Sequence, residues 1–215
     1  MRKGFHEELA NLTNRLLQMG SLVEETIYES IEALKNQDLQ LADQVIENDD
    51  RVDDFEMELK EKCAKLIALQ QPVARDLRTI LVTSEIVTDL ERVGDYSCNI
   101  AYMVKEIGQE ELMKPLIDIP RMTDLATDRL KKSLDAFVNE DTVLAKEVAR
   151  TDEEIDALDD QIFRELLTYT ISKPSLIKQA SALIFVSRFL ERIGDHSTNI
   201  CEGVIYMISG KREKY

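Results

Sequence analysis

Glu91 and Asp95 stand four residues apart in residues 89–101, DLERVGDYSCNIA, and Glu191 and Asp195 stand four apart in residues 189–201, FLERIGDHSTNIC. Asp49 with Asp53, and Asp152 with Asp156, repeat the spacing. Residues four apart lie on one helix face, so each pair presents two carboxylates to the same side. Like charges so placed repel by roughly 0.2–0.5 kcal/mol, and several gathered at one level must either hold their protons more tightly or find a counter-ion. Carboxylate oxygens are hard ligands, suited to iron, manganese, magnesium or calcium, and one carboxylate can bridge two ions. With 42 acidic residues in 215, roughly eight such pairs arise by chance on solvated faces. A single pair therefore signifies little, and placement and duplication decide the matter.

The duplication is explicit. Over residues 89–104 against 189–204, nine of 16 positions are identical at a shift of 100. Met19, Leu22, Ser30, Ala33, Asn36, Asp38 and Ala42 recur as Met122, Leu125, Ser133, Ala136, Asn139, Asp141 and Ala145 at a shift of 103. Self-similarity at a fixed period marks a repeated architecture. Few Gly and Pro beside abundant Leu, Ile, Glu, Asp and Lys predict long helices. Helical periodicity runs from His6 to Lys35; Asp38 caps a second helix reaching about Leu69; Pro72 stops it; a third runs from about Ala74 to Ile107, with Gly108 as its C-terminal cap. The segment GQEELMKPLIDIP joins the halves, and the pattern then restarts. The expected fold is all-α, two tandem three-helix bundles of six long helices, with residues 1–113 forming the first and 114–215 the second.

Helices of about 30 residues joined by short turns pack as antiparallel neighbours, and residues equidistant from a turn then lie at one height. Asp53 with Glu91, and Asp49 with Asp95, are both centred on residue 72. Asp152 with Asp195, and Asp156 with Glu191, are both centred between Lys173 and Pro174. Each half thus sets two acidic pairs level with each other. The same construction across the preceding turns brings Glu24 and Glu25 level with Asp53 and Asp49, and Asp124 and Asp128 level with Asp156 and Asp152; Ser21 occupies the place answering to Asp124, so this third contribution is not symmetric. Gly94 and Gly194, just before the Asp, leave room for a metal or a neighbouring backbone. Arg92 and Arg192 suit either neutralisation of the acids or a protein interface, and Asn99 and Asn199 suit a hydrogen bond to the Asp or a bridge between helices.

The segments IENDDRVD, PVARDLRTI, DLERVGDYSCNI, RTDEEID and FLERIGDHSTNI resemble the PhoU family, regulators of bacterial phosphate uptake, over nearly the whole chain. The resemblance implies multinuclear metal clusters, iron in some members and zinc or nickel in others, carried by Asp49, Asp53, Glu91, Asp95, Asp152, Asp156, Glu191 and Asp195. It also implies a homodimer that represses the phosphate-starvation response, acting between the ATPase of the phosphate ABC transporter and the sensor histidine kinase of a two-component system. Lys178 stands where Arg78 stands in the first half, so the two halves differ near that turn.

Other functions fit less well. The formal charge of −15 disfavours nucleic acid and anionic lipid as direct partners, leaving the membrane to be reached only through partners. No window is apolar enough to span a bilayer. Three cysteines without CxxC spacing and the absence of a signal peptide point to a reducing cytoplasm. Ferritin-like oxidases pair Glu with His three residues on, and neither His6 nor His196 follows a Glu so. Asp195, His196 and Ser197 are consecutive and point about 100° apart on a helix, so they form no catalytic triad. A phosphohydrolase would need a nucleophile and a phosphate cradle, and the sequence offers neither. The expectation is a non-enzymatic, metal-binding regulator; the alternative is a helical adaptor whose acids are docking surfaces and whose metals are incidental.

Overall fold

The computed structural model describes residues 2–151 and 153–215. Among them the chain forms α1 (Arg2–Asn36), α2 (Leu39–Glu47), α3 (Asp49–Gln70), α4 (Ala74–Ile107), α5 (Asp118–Asn139), α6 (Thr142–Arg150), α7 (Glu153–Ser172) and, after a short 3-10 turn at Pro174–Leu176, α8 (Ile177–Ser209). The fold is two tandem three-helix bundles. α1, α2–α3 and α4 make the first, and α5, α6–α7 and α8 the second, with one continuous apolar core running through both.

The duplication is reproduced at the level of single hydrogen bonds. After α1, Gln37 turns left-handed (φ 51°) and the Asp38 amide donates to the Ala33 carbonyl at 2.9 Å; after α5, Glu140 does the same (φ 53°) and the Asp141 amide reaches Ala136 at 2.9 Å. These Schellman closures satisfy carbonyls that a helix end leaves open. The same two aspartates then cap the next helix of each bundle. Asp38 accepts from the amides of Gln40 and Leu41, both at 3.0 Å, and Asp141 from those of Val143 and Leu144 at 2.9 and 3.0 Å.

The second helix of each bundle is interrupted, where the sequence pattern predicts it unbroken. In the first bundle Asn48 separates α2 from α3: its amide is shared between the carbonyls of Gln44 and Ile46, and its own carbonyl accepts from Arg51 three residues on. That tight turn ends one helix and starts another. Asp49 and Asp50 consequently occupy the first turn of α3, and Glu153, Glu154 and Asp156 the first turn of α7. Unpaired amides at a helix N-terminus favour negative charge, so the break supports the very acids that crowd together there.

The two bundles meet chiefly through α4 and α8, which pack antiparallel about a pseudo-twofold axis. Arg78 Nε near the start of α4 donates to the Met207 carbonyl near the end of α8 at 3.1 Å, and the Arg78 guanidinium lies against Gly210, just beyond α8. At the other end Lys178 of α8 lies 3.3 Å from Glu106 of α4. Midway, Asp89 Oδ1 is 2.8 Å from His196 Nδ1, and Tyr96 stacks on Phe189 with centroids 5.9 Å apart. Asn199 adds a 3.4 Å hydrogen bond to Asp89, so this asparagine bridges helices, and Gly203 leaves the space that Val82 enters. Arg78 and Lys178 therefore serve matching places, each clipping the far end of the other bundle's long helix. The linker is held at both ends: Gln37 Nε2 donates to the Gly108 carbonyl at 3.0 Å and the Glu110 carbonyl at 2.6 Å, and Gln179 Oε1 accepts from the Met113 amide at 2.6 Å.

Substituting either cap, Asp38→Ala or Asp141→Ala, is expected to lower unfolding free energy by about 1 kcal/mol, with the double variant close to additive because the two turns share no partner. Urea denaturation followed by circular dichroism measures both. A loss in one half only would mean that the two turns are not energetically equivalent.

Candidate functional site

α3 and α4 run side by side, and their facing edges carry the first acid set. Asp49 and Asp53 come from the start of α3, and Glu91 and Asp95 from the middle of α4. Asp95 is the neighbour they share: its charge acts on Asp49, on Asp53 and, more strongly than any other charge, on Glu91. The levels drawn from the turn at residue 72 thus correspond to real proximity. Val52 of α3 fills the space above Gly94, 3.2 Å from where a Cβ would stand, so this glycine admits the neighbouring helix.

The carboxyl groups of Asp49, Asp53 and Glu91 are all raised above their ordinary values, burial being the largest cause in each, followed for Asp53 and Glu91 by Asp95. For Asp49 the Cys98 thiol offsets part of the effect before Asp95 and Asp53 add to it. Cys98 is buried, lies 3.6 Å from the Val45 carbonyl, and its thiol is itself pushed up, by burial first and Asp49 next. Glu91 Oε2 is fully enclosed and accepts no hydrogen bond; its nearest cation is Arg92 Nε at 3.4 Å. Arg92 Nη1 also donates to Asp95 at 2.8 Å. The arginine of the repeated motif thus partly neutralises its own carboxylates.

The second set repeats this on α7 and α8. Glu191 is raised by burial, then by Asp195, while Arg188 and Arg192 pull it down. Its Oε2 is enclosed without a hydrogen bond, as in Glu91, with Arg192 Nε 3.6 Å away. Arg192 Nη1 reaches Asp195 at 3.4 Å. Asp156 is exposed in the first turn of α7. Asp152, the expected partner of Asp156, lies outside the described residues.

Two members of these sets are missing from the sequence reading. Glu56 acts on both Asp53 and Glu91, and Asp159 acts on Glu191. They are each other's counterparts at the same shift of 103 and follow Asp53 and Asp156 by three. That spacing on the same helix face was the available signal. Each has a resident cation: Lys60 is 2.6 Å from Glu56, while Asp159 lies 3.1 Å from Arg188 and accepts from Ser187 at 2.7 Å.

Among the described residues, the contribution expected from the first helix of each bundle is not joined to these sets. Glu25 lines a shallow surface groove with Ser21, Arg51 and Phe55, and no carboxylate of α1 is among the charges acting on Asp49 or Asp53. Glu24 faces α5 instead, where Lys131 and Asp135 act on it. Asp124 and Asp128 are exposed on α5, and Asp128 is paired with Lys132 at 2.7 Å. Equal height does not imply the same side of a helix.

The donor set is all carboxylate, two of its oxygens are enclosed without a hydrogen bond, and burial raises the carboxyl groups of Asp49, Asp53, Glu91 and Glu191. In those respects the residues fit a hard cation. Among the described residues, however, no three carboxylate, imidazole or thiol groups converge on one point as the side chains stand. Loading would require Arg92 and Arg192 to release the acids they pair. No helix among the described residues is long and apolar enough to cross a membrane.

Fold and site together define an internally duplicated helical scaffold bearing a carboxylate set on each repeat. The PhoU domain family matches the chain twice, over residues 16–104 and 119–204. A phosphate-specific transport system accessory protein PhoU homologue of Clostridium acetobutylicum is 42% identical over 98% of this chain and 97% of its own. Its counterpart in Aquifex aeolicus is 39% identical over 97% and 95%. The crystal structure of PhoU from Pseudomonas aeruginosa superimposes with a TM-score of 0.91 at 36% identity, covering 96% of this chain and 100% of that one. The phosphate transport system regulatory protein PhoU from Streptococcus pneumoniae does so at 0.92 and 28%, covering 98% and 100%. The chain belongs to the PhoU family.

The raised carboxyl groups predict how stability varies with pH. A folded chain that holds protons on Glu91 above the unfolded carboxylate range, near pH 4, gains stability below that range and loses it as pH rises through the raised value. In chelator-stripped protein Glu91→Gln is therefore expected to raise the urea midpoint at pH 7.5, with the gain shrinking toward pH 4. Glu58 supplies the opposite sign. Arg15 and Lys62 hold its carboxyl down to about 2, so Glu58→Gln should lower the midpoint at pH 7.5. Equal signs for the two variants would contradict the electrostatic assignment.

Proposed function

We propose that this chain is a non-enzymatic regulator that restrains phosphate uptake and the phosphate-starvation response when phosphate is ample. It works by contact, as a homodimer in the cytoplasm, between the ATPase of a phosphate ABC transporter and the sensor histidine kinase of a two-component system. The observation that carries this reading is full-length membership of a family whose relatives are named phosphate-specific transport system accessory proteins. Asp49, Asp53, Glu56, Glu91 and Asp95 would hold metal in the first bundle, and Asp156, Asp159, Glu191 and Asp195, with Asp152, in the second. Iron is the first expectation for a multinuclear cluster there, with zinc or nickel next. Bound metal would supply positive charge to carboxylates otherwise held together against repulsion, fixing α3 to α4 and α7 to α8 and so setting the shape of the face a partner meets.

One observation favours the alternative of bare acidic docking surfaces. Arg92 and Arg192 already pair the central acids, and a basic partner segment would displace them as readily as a metal. Elemental analysis of protein purified without chelator separates the readings. More than one iron, zinc or manganese per chain, reduced in Glu91→Ala/Asp95→Ala and in Glu191→Ala/Asp195→Ala, supports the metal reading; none in the parent supports the docking reading. Deletion of the gene is expected to raise transcription of phosphate-uptake genes in phosphate-rich medium, and unchanged transcription would remove the regulatory assignment.

A further inference from the structure

The two acid sets carry different fixed cations. In both bundles the central helix presents a stripe at spacing 0, 4 and 7: Glu91, Asp95 and Cys98 on α4, and Glu191, Asp195 and Thr198 on α8. Cys98 is neutral and lies against Asp49. Thr198 instead accepts a 2.8 Å hydrogen bond from Nη2 of Arg129, an α5 guanidinium only 5% exposed. A buried arginine therefore meets the hydroxyl of Thr198, three residues beyond Asp195, from inside the core. The residue answering to Arg129 in the first bundle is Thr26, which turns its hydroxyl to the Leu22 carbonyl of its own helix.

A second cation follows the same pattern. Arg188 Nη1 lies 3.1 Å from Asp159 and 3.3 Å from Glu191, tying α7 to α8. Its counterpart on α4 is Thr88, whose hydroxyl donates to the Ser84 carbonyl. Among the described residues the first set has Arg92, answered in the second set by Arg192, and Lys60, a half-exposed side chain paired with Glu56.

Taking the metal reading above as its basis, we propose that the two acid sets are unequal. The set on α3 and α4 is the primary site for a divalent cation, and the set on α7 and α8 is held partly neutral by Arg188, which occupies electrostatically the place a metal would take. Arginine stays protonated at every physiological pH, so this neutralisation is permanent. The second bundle is then a bundle that keeps its shape without metal, while the first depends on loading. A fixed positive charge near a divalent ion at short range weakens binding by about tenfold or more, even at the high effective dielectric of a protein surface.

The test titrates the intact, chelator-stripped chain with Mn2+, reading free ion by its paramagnetic resonance signal. Circular dichroism confirms that each variant is folded. The tighter class of sites is expected to disappear in Glu91→Gln/Asp95→Asn and to persist in Glu191→Gln/Asp195→Asn. Arg188→Thr, an exposed change to the residue the first bundle already uses, should tighten the weaker class about tenfold; Thr88→Arg should weaken the tighter class comparably. Equal loss of Mn2+ from both double variants, or no response to Arg188→Thr and Thr88→Arg, overturns the inequality while leaving the metal reading intact. Absence of Mn2+ binding in the parent overturns both.

Discussion

The antiparallel contact of α4 with α8 is the constraint on which the rest of the molecule depends. Each of these helices is the inner wall of its own bundle and also half of the seam between bundles. One side of α4 must therefore pack on α1 and α3 while another packs on α8, leaving a narrow strip for polar residues. Glu91, Asp95 and Cys98 lie on the edge facing α3; Asp89 and Tyr96 lie on the edge facing α8. The acids are half-buried because the helix carrying them is nearly surrounded. Clips at both ends, Arg78 on Met207 and Lys178 against Glu106, hold the register along the whole seam, and a slip would separate Asp89 from His196 as well as Tyr96 from Phe189.

This geometry explains why carboxylates that repel one another remain tolerable. Each set costs the fold something, since burial and neighbouring charge both oppose ionisation. The cost is spread over a long interface whose apolar residues contribute roughly 25 cal/mol per Å² of surface removed from water. It is also reduced locally, by the helix N-terminus at Asp49, the Cys98 thiol and the guanidinium of Arg92. None of these fully satisfies Glu91 Oε2. A site that is polar, crowded and incompletely satisfied within an otherwise well-packed core is where selection for function, rather than for stability, leaves its trace.

Much of this is legible in the sequence because duplication supplies two independent copies of each inference. The caps at Asp38 and Asp141, the stop at Pro72, the end of α4 at Gly108 and the pairing of α3 acids with α4 acids all follow from local rules and mirror arithmetic about a turn. The failures have physical causes. Height along a helix is set by counting from the turn, but azimuth is not, so Glu25 counts as level with Asp49 although it faces Arg51 and Phe55. The break at Asn48 depends on a shared amide that no periodicity reveals. Glu56 and Asp159 sit one turn beyond the motif and matter only because the neighbouring helix passes close to them. The Arg129 hydrogen bond to Thr198 is invisible in the sequence because it exists only once α5 packs on α8.

Arg188 shows how a duplicated scaffold diverges. After duplication, two equivalent acid sets carry the same electrostatic strain, and either can be relieved by a bound ion or by a cation built into the chain. Arginine at residue 188 places that cation between Asp159 and Glu191 and ties α7 to α8. The first bundle has Thr88 in that place, and its acids, partly neutralised by Arg92, sit on the same α4 that clamps the seam, so any charge arriving there is felt along that shared interface.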